Sequence, residues 1–236
     1  MRKIFISAGH ANKSGRDRGS SGNGYIEGEL SVELRDLIMS ELSKLGVTAI
    51  KDGNDTILKD SIAFFKRLVS PDSILIDLHW NAFNEKSTGV ETIVPEKYTA
   101  LEYNLAKALS AKTSEILGIP LRGKNGVKTE SESQHPSLGW MRLTGENVLL
   151  EVCFISNPND MKSYQKNKIA YSKAIAKVLY EFAGGTTTNE KTTTYSVKSG
   201  DTLTKIAVKF NTTITKLKTD NKLTTDIIKI GQVLKV

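Results

Sequence analysis

Cysteine is nearly absent from this chain of 236 residues: the single one, Cys153, excludes an intramolecular disulfide and any CxxC-type metal site. A metal would have to be held by imidazole and carboxylate, and stability has to come from packing. Histidine is almost as scarce, with three, and one of them, His10, follows closely on the short apolar run Ile4-Phe5-Ile6. No stretch approaches the ~20 apolar residues that cross a bilayer, so membrane insertion is not expected. A secretory leader needs an apolar core of ~7 to 15 residues, which Ile4-Phe5-Ile6 is too short to supply. The expectation is a protein made in the cytoplasm without a signal peptide, reaching any outside target only after release.

What is present is the composition of an ordinary soluble protein, 39% hydrophobic and 25% charged, long enough for one full core and a small second module. Residues 184–194, GGTTTNEKTTT, contain no apolar residue and read as a flexible linker between domains at 1–183 and 195–236. The net charge of +7 is uneven, because residues 195–236 hold eight lysines and three aspartates, a net of +5. Such a bias suits an anionic polymer. Nucleic acid is not expected, since basic and aromatic residues are not interleaved as stacking platforms.

Ahead of the linker, short apolar runs at 3–7, 47–50, 74–78, 90–94 and 148–150 alternate with amphipathic segments, the mark of an α/β fold. Leu30, Leu34, Leu37, Ile38, Leu42 and Leu45 form a helical stripe closed by Gly46. A second helix is expected from 99 to 117, with Leu101, Leu105, Leu109 and Ile116 inward and Gly118 as its stop. Asn157-Pro158 signals a third helix start, and Ile175, Val178, Leu179 and Phe182 continue that helix to the Gly184-Gly185 break. The fold expected is a mixed, mostly parallel sheet covered by helices on both faces.

Three of the predicted strands end in an ionisable residue: KIFISAG in His10, SILIDL in His79 and NVLL in Glu151. Ligands of open α/β sheets bind beyond the carboxyl ends of the strands, so these side chains can converge, and Glu27 at the first helix start can join them. Two imidazoles and one carboxylate make a three-ligand zinc site with a fourth position left for water, and the other carboxylate is then a candidate general base. Zinc lowers the pKa of bound water from about 15.7 toward about 7, which suits hydrolysis of amides or esters. Two other combinations lack support. Gly22-Asn23-Gly24 has no third glycine and does not follow a strand directly, as a dinucleotide loop would, and nothing but rarity links Cys153 to His135.

The residues Gly9-His10, Asp17-Arg18-Gly19, Glu27-Gly28-Glu29-Leu30, His79-Trp80-Asn81-Ala82, Gly89-Val90-Glu91-Thr92 and Glu151-Val152-Cys153-Phe154-Ile155-Ser156-Asn157 occur in a fixed order along residues 1–183. This segment resembles the zinc-dependent N-acetylmuramoyl-L-alanine amidases of the type 3 family, peptidoglycan hydrolases of autolysins and phage endolysins. The resemblance implies Zn2+ on His10, Glu27 and His79, with Glu29 as the rival for the second ligand, and Glu151 as the catalytic glutamate. It implies cleavage of the bond between N-acetylmuramic acid and L-alanine of the stem peptide. Where the family usually reads Asp-Pro-Gly-His-Gly-Gly, this chain reads Ser7-Ala8-Gly9-His10-Ala11-Asn12.

Residues 195–236 resemble a lysin-motif (LysM) module through Tyr195-Ser196-Val197, Gly200-Asp201-Thr202-Leu203, Ile206-Ala207, Phe210 and the closing 230–236 stretch. That implies a β-α-α-β fold gripping N-acetylglucosamine-containing glycan between loops at Gly200, Asp201, Thr202 and Leu203 and at Ile227, Ile228 and Lys229, with Asp201 also as a helix N-cap. The expected protein is a bacteriolytic enzyme of the cell wall, a phage endolysin, with a host autolysin or a non-catalytic wall-binding protein as the alternatives.

Overall fold

A computed structural model describes residues 1–12, 17–134, 137–186, 194–210 and 212–236, and the chain divides into two compact units, Met1–Thr186 and Thr187–Val236. The first unit begins with strand β1 (Ile4–Ser7), a small hairpin of β2 (Ser21–Gly22) and β3 (Tyr25–Ile26), helix α1 (Glu27–Lys44) and strand β4 (Ile50–Lys51). Helix α2 (Leu58–Phe65), strands β5 (Ile74–Asn81) and β6 (Glu91–Val94), helix α3 (Ala100–Leu117) and strand β7 (Val127–Thr129) follow. Strand β8 (Glu146–Phe154) and helix α4 (Pro158–Phe182) complete it.

Six strands form one sheet in the order β4-β1-β5-β8-β6-β7, parallel throughout except for the antiparallel β6–β8 ladder. Alternation along the strands divides the core into two faces. Ile4, Ile6, Ile74, Ile76, Leu78, Val148 and Leu150 pack with α1, α3 and α4 on one face. Phe5, Leu75, Ile93 and Leu149 turn to the other, where the cover is Ile62 and Phe65 of α2, Leu143 and a 3-10 turn at Gly139–Arg142 carrying Trp140 and Met141. Helices therefore lie on both faces, three long ones against a thin layer. The thin layer leaves the carboxyl ends of β1, β5 and β8 uncovered on its side.

Local chemistry explains most boundaries. Thr99 and Glu102 form a reciprocal capping box at the start of α3, and Gly118 closes it in the left-handed region at φ 66°. Asn157 caps α4 by accepting from the N–H groups of Asn159 and Asp160. Helix α1 has no side-chain cap; its first N–H groups, those of Glu27 and Gly28, donate to the carbonyls of Ser20 and Arg18 at 2.9 Å. That choice ties the loop at 17–20 to the helix start.

Several expectations need correction. Strands β5 and β8 run on to Asn81 and Phe154, so His79 and Glu151 lie within them and do not end them. The run at 47–50 contributes a strand only at Ile50–Lys51. Leu45 lies past the last turn of α1 and is exposed, and Leu101 and Ile116 are only half-buried, because the inward stripe of α3 passes through Ala106, Ser110, Thr113 and Leu117 instead. The Asn23-Gly24 pair, with both φ values positive at 51° and 81°, makes the two-residue turn of the β2–β3 hairpin.

The second unit follows the β-α-α-β order: β9 (Thr194–Ser196), α5 (Leu203–Lys209), α6 (Ile214–Asp220) and β10 (Val233–Lys235), with β9 and β10 antiparallel. Val197, Leu203, Ile206, Ala207, Leu217 and Leu234 form its core. Thr202, not Asp201, caps α5, accepting from the N–H of Lys205 at 3.2 Å. Asp201 instead accepts from the Tyr195 hydroxyl and the Lys198 N–H, both at 2.8 Å, and so pins the loop before the helix. Among the described residues no helix is long and apolar enough to cross a membrane.

Arg35 of α1 is fully buried and bonds Asp52 Oδ1 at 2.7 Å, Asp36 Oδ1 at 3.1 Å and the Asn54 side chain. Asp52 also accepts from the hydroxyls of Ser61 at 2.7 Å and Ser7 at 3.0 Å. Replacing Arg35 by alanine strands a buried carboxylate, and the expected cost is about 3–5 kcal/mol. Both tryptophans lie in the first unit, so urea unfolding followed by their fluorescence reads this loss directly.

Candidate metal centre

Two loops bring the first ligand to the sheet. After β1 the chain turns through Gly9 at φ 69°, where a Cβ would lie 2.6 Å from His79 Nε2 and 2.7 Å from the Leu78 carbonyl. The loop ahead of the hairpin turns through Gly19, also at φ 69°, where a Cβ would meet Glu27 Oε2 at 2.5 Å and the His10 ring at 2.6 Å. No side chain fits at either position, which is the physical content of the Gly9-His10 and Asp17-Arg18-Gly19 motifs. Ser7 accepts from the Gly9 N–H at 3.1 Å and donates in turn to Asp52 Oδ2 at 3.0 Å. Asp52, in the chain after β4, thus anchors the Gly9 turn through Ser7.

Glu27 sits between the two imidazoles. Its Oε1 lies 3.4 Å from His10 Nε2 and 3.1 Å from His79 Nδ1 and accepts from the Trp80 N–H at 3.0 Å, while Oε2 accepts from the Ser20 N–H at 2.7 Å. The rings of His10 and His79 meet edge to face with centroids 4.9 Å apart. One donor atom from each of His10, Glu27 and His79 falls within 4.8 Å of the others, a set able to hold a metal ion. Burial alone would raise the Glu27 carboxyl, but the His79 hydrogen bond, the charges of both imidazoles and the Trp80 N–H bring it down to about 2. His79 goes the other way: burial opposes its charge, yet Asp77 and Glu27 hold its pKa well above the ordinary value. Glu29 points away, exposed and paired with Arg18.

Glu151 stands directly across the β5–β8 ladder from His79 and across the β6–β8 ladder from Glu91. Its Oε2 is shut off from solvent with no hydrogen-bond partner among the described residues. Burial, reinforced by the charges of Glu27, Glu91 and Asp77 and opposed by His79, pushes its carboxyl up to about 8. His10, Glu27, His79, Glu91 and Glu151 line one cleft of about 460 Å³, walled on the far side by Leu58, Leu138 and Gly139. A carboxyl that lines a cleft beside three metal-type donors, with its pKa raised by burial, is a group suited to exchange protons with what enters.

Three features had no role assigned from sequence. Glu91 is buried and paired with Arg122 at 2.7 Å and Lys128 at 2.8 Å. Asp77 lies 3.1 Å from His79 Nε2, and Asp17 lies 3.3 Å from His10 Nδ1. Asp77 reads as a lone acid inside an apolar run, the same signal that marked Glu151. His135 lies outside the described residues. In the second unit Gly200, Thr202, Ile227 and Lys229 are exposed, whereas Leu203 is buried in the core and Ile228 packs against it.

Residues 4–181 match the family model described as N-acetylmuramoyl-L-alanine amidase. The chain belongs to this family. Residues 195–236 match the LysM domain. The amidase unit is similar to LytC, an N-acetylmuramoyl-L-alanine amidase of Bacillus subtilis, at 28% identity over 165 residues, 66% of this chain and 30% of that protein. The LysM unit is 60% identical over 43 residues to LytE, a probable peptidoglycan endopeptidase of the same organism, covering 18% of this chain and 13% of that one. Among solved structures, a protein from Neisseria meningitidis assigned as an amidase of this kind superposes with a TM-score of 0.64 at 25% identity, over 78% of this chain and 97% of its own. The chain spans less than a third of the length of the first curated relatives it matches.

Glu91 offers a test of the amidase unit's electrostatics. Burial opposes its ionisation, but Lys128 and Arg122 outweigh it and hold its carboxyl below the usual range. A depressed folded-state pKa contributes stability that is present above the unfolded value of about 4.3 and is lost as pH falls through the folded one. Glu91→Gln is therefore expected to lower the Tm at pH 7, with the gap closing in melts taken below about pH 4; a gap of constant size down to pH 3 would assign the effect to packing.

Proposed function

We propose that this chain hydrolyses the amide bond between N-acetylmuramic acid and L-alanine in peptidoglycan, as a zinc enzyme that is held on the cell wall by its LysM unit. The observation that carries the reading is the convergence of His10, Glu27, His79 and the unpartnered Glu151 on one cleft. Two imidazoles and a carboxylate are a donor set that suits zinc with a coordination position left open, and the buried Glu27 between two rings fits such an ion better than it fits isolation.

His10 through Nε2, Glu27 through Oε1 and His79 through Nδ1 would hold the ion. When bound, zinc supplies a Lewis acid for the scissile carbonyl and makes water more acidic. Glu151 accepts the proton of the attacking water and returns it to the leaving amine of L-alanine. Its carboxyl at about 8 without a cation would be drawn down by a nearby dication toward the working pH, where a general base is most effective. Exposed Gly200, Thr202, Ile227 and Lys229 are the glycan contacts proposed on the second unit, with Asp201 shaping their loop. An endolysin and a host autolysin would share this chemistry, since both cut the same bond.

Glu151→Gln is expected to keep its metal content and wall binding while hydrolysis falls about 10²–10⁴-fold, measured as new L-alanine amino termini released from purified walls. New reducing ends or free acetate in place of those termini would reject the amidase reading. Removing residues 187–236 is expected to reduce activity on whole walls far more than on soluble muropeptides, because the tail acts by raising local concentration on the polymer. Equal losses on both substrates would reject that role.

A further inference from the structure

Both imidazoles that face Glu27 have a second nitrogen, and each second nitrogen faces an aspartate. The two aspartates differ sharply in setting. Asp17 has a side chain 67% exposed, and its Oδ1 is shared between His10 Nδ1 and the Gly19 N–H. The Asp77 side chain is 0% exposed; Oδ2 lies 3.1 Å from His79 Nε2, and Oδ1 has no hydrogen-bond partner among the described residues. Asp52 is close enough to Asp77 to feel its charge, but the cation that neutralises Asp52, Arg35, forms no ion pair with Asp77 among the described residues. A carboxylate buried with an imidazole as its single polar partner is costly, and positive charge delivered through the far side of that ring offsets the cost.

We infer that Asp77 is the positioning residue of the metal centre: by holding the Nε2–H of His79 it fixes the ring and its tautomer, so that His79 ligates through Nδ1 while His10 ligates through Nε2. This rests on the metal-centre reading above and adds to it which nitrogen each histidine uses and what enforces the choice. The β-strand supplies the geometry. Asp77 and His79 are two residues apart on β5 and so project from the same face, and Ser7, opposite Asp77 in the β1–β5 ladder, closes the space beside it. A ring held on one side by a buried carboxylate keeps its other nitrogen aimed at Glu27 and cannot flip without leaving that carboxylate bare. Carboxylate partners of this kind orient ligating histidines and raise their basicity, and losing one typically costs 10–100-fold in metal affinity. Asp17, exposed and shared, holds His10 less firmly.

The chain's three histidines make the test clean. Full-length protein labelled with ¹⁵N in the imidazole rings is examined by two-bond ¹H–¹⁵N correlation before and after one equivalent of zinc, with single His→Gln variants for assignment. The expected spectrum shows His79 metallated at Nδ1 with a retained, slowly exchanging Nε2 proton, and His10 metallated at Nε2. Metallation of His79 at Nε2 would overturn the inference while leaving the metal centre standing; no response of either ring to zinc would reject the centre and the inference together. This measurement on the unsubstituted chain decides the point whether or not Asp77→Ala folds. Zinc affinity by chelator competition supplies the second readout. Asp77→Ala is expected to bind about 10–100-fold more weakly. Asp77→Asn, whose amide oxygen still accepts the Nε2–H without the charge, should fall between, and Asp17→Asn should lose less than either. Parent-like affinity in both Asp77 variants would overturn the role.

Discussion

The constraint on which the rest of the molecule depends is the burial of Glu27. A carboxylate removed from water is tolerated when donors and positive charge surround it, and here two imidazoles, the Trp80 N–H and the Ser20 N–H do so. Those four partners come from three separate segments of the chain. His10 requires the Gly9 turn, Ser20 requires the Gly19 turn, and His79 and Trp80 require β5 to reach the level of the helix start. Helix α1 takes its own first N–H bonds from the same loop, so its entry and the site are one structure. The partial positive charge of the helix N-terminus favours the acid there as well.

The uneven cover of the sheet turns this cluster into a site. Three long helices seal one face, and apolar residues of β1, β5 and β8 fill it. On the other face α2 and the turn at Gly139–Arg142 close over Phe5, Leu75 and Leu149 but stop short of the carboxyl ends of the strands. Parallel strands place His79 and Glu151 side by side there, and the single antiparallel partner, β6, brings the start of its own run, Glu91, to the same end. Arg122 and Lys128 neutralise Glu91, while Glu151 keeps an oxygen without a hydrogen-bond partner among the described residues. The family to which the chain belongs and the proton-transfer role proposed for Glu151 meet at that residue.

Much of this was legible in the residues. His10, His79 and Glu151 each interrupt an apolar run, and such interruptions persist in a core only for a reason. Glu27 over Glu29 came from the resemblance, and the folded helix agrees with it: Glu27 shares a stripe with Leu30 and Leu34, while Glu29, two residues on, is exposed and paired with Arg18. Strand ends were less legible, because β5 and β8 continue through polar residues that pattern alone reads as boundaries; the ladder partners on each side keep them extended. The short helix α2 escaped notice since its few buried positions, Ser61 and Phe65, carry no period to detect, and of the apolar run at 47–50 only the end pairs as a strand.

Residue types and their order were enough to point to an α/β unit followed by a β-α-α-β module, to helices α1, α3 and α4 with the Asn157 cap, and to the four ionisable groups, since periodicity, capping chemistry and the scarcity of histidine are properties of the chain taken locally. Which nitrogen of each imidazole faces Glu27, that Asp77 backs His79 and that Ser7 borrows Asp52 were decided only when strands distant in sequence came side by side. Hydrogen-bond partners of a buried polar group are set by distances of a few tenths of an ångström, and only the packed sheet defines those.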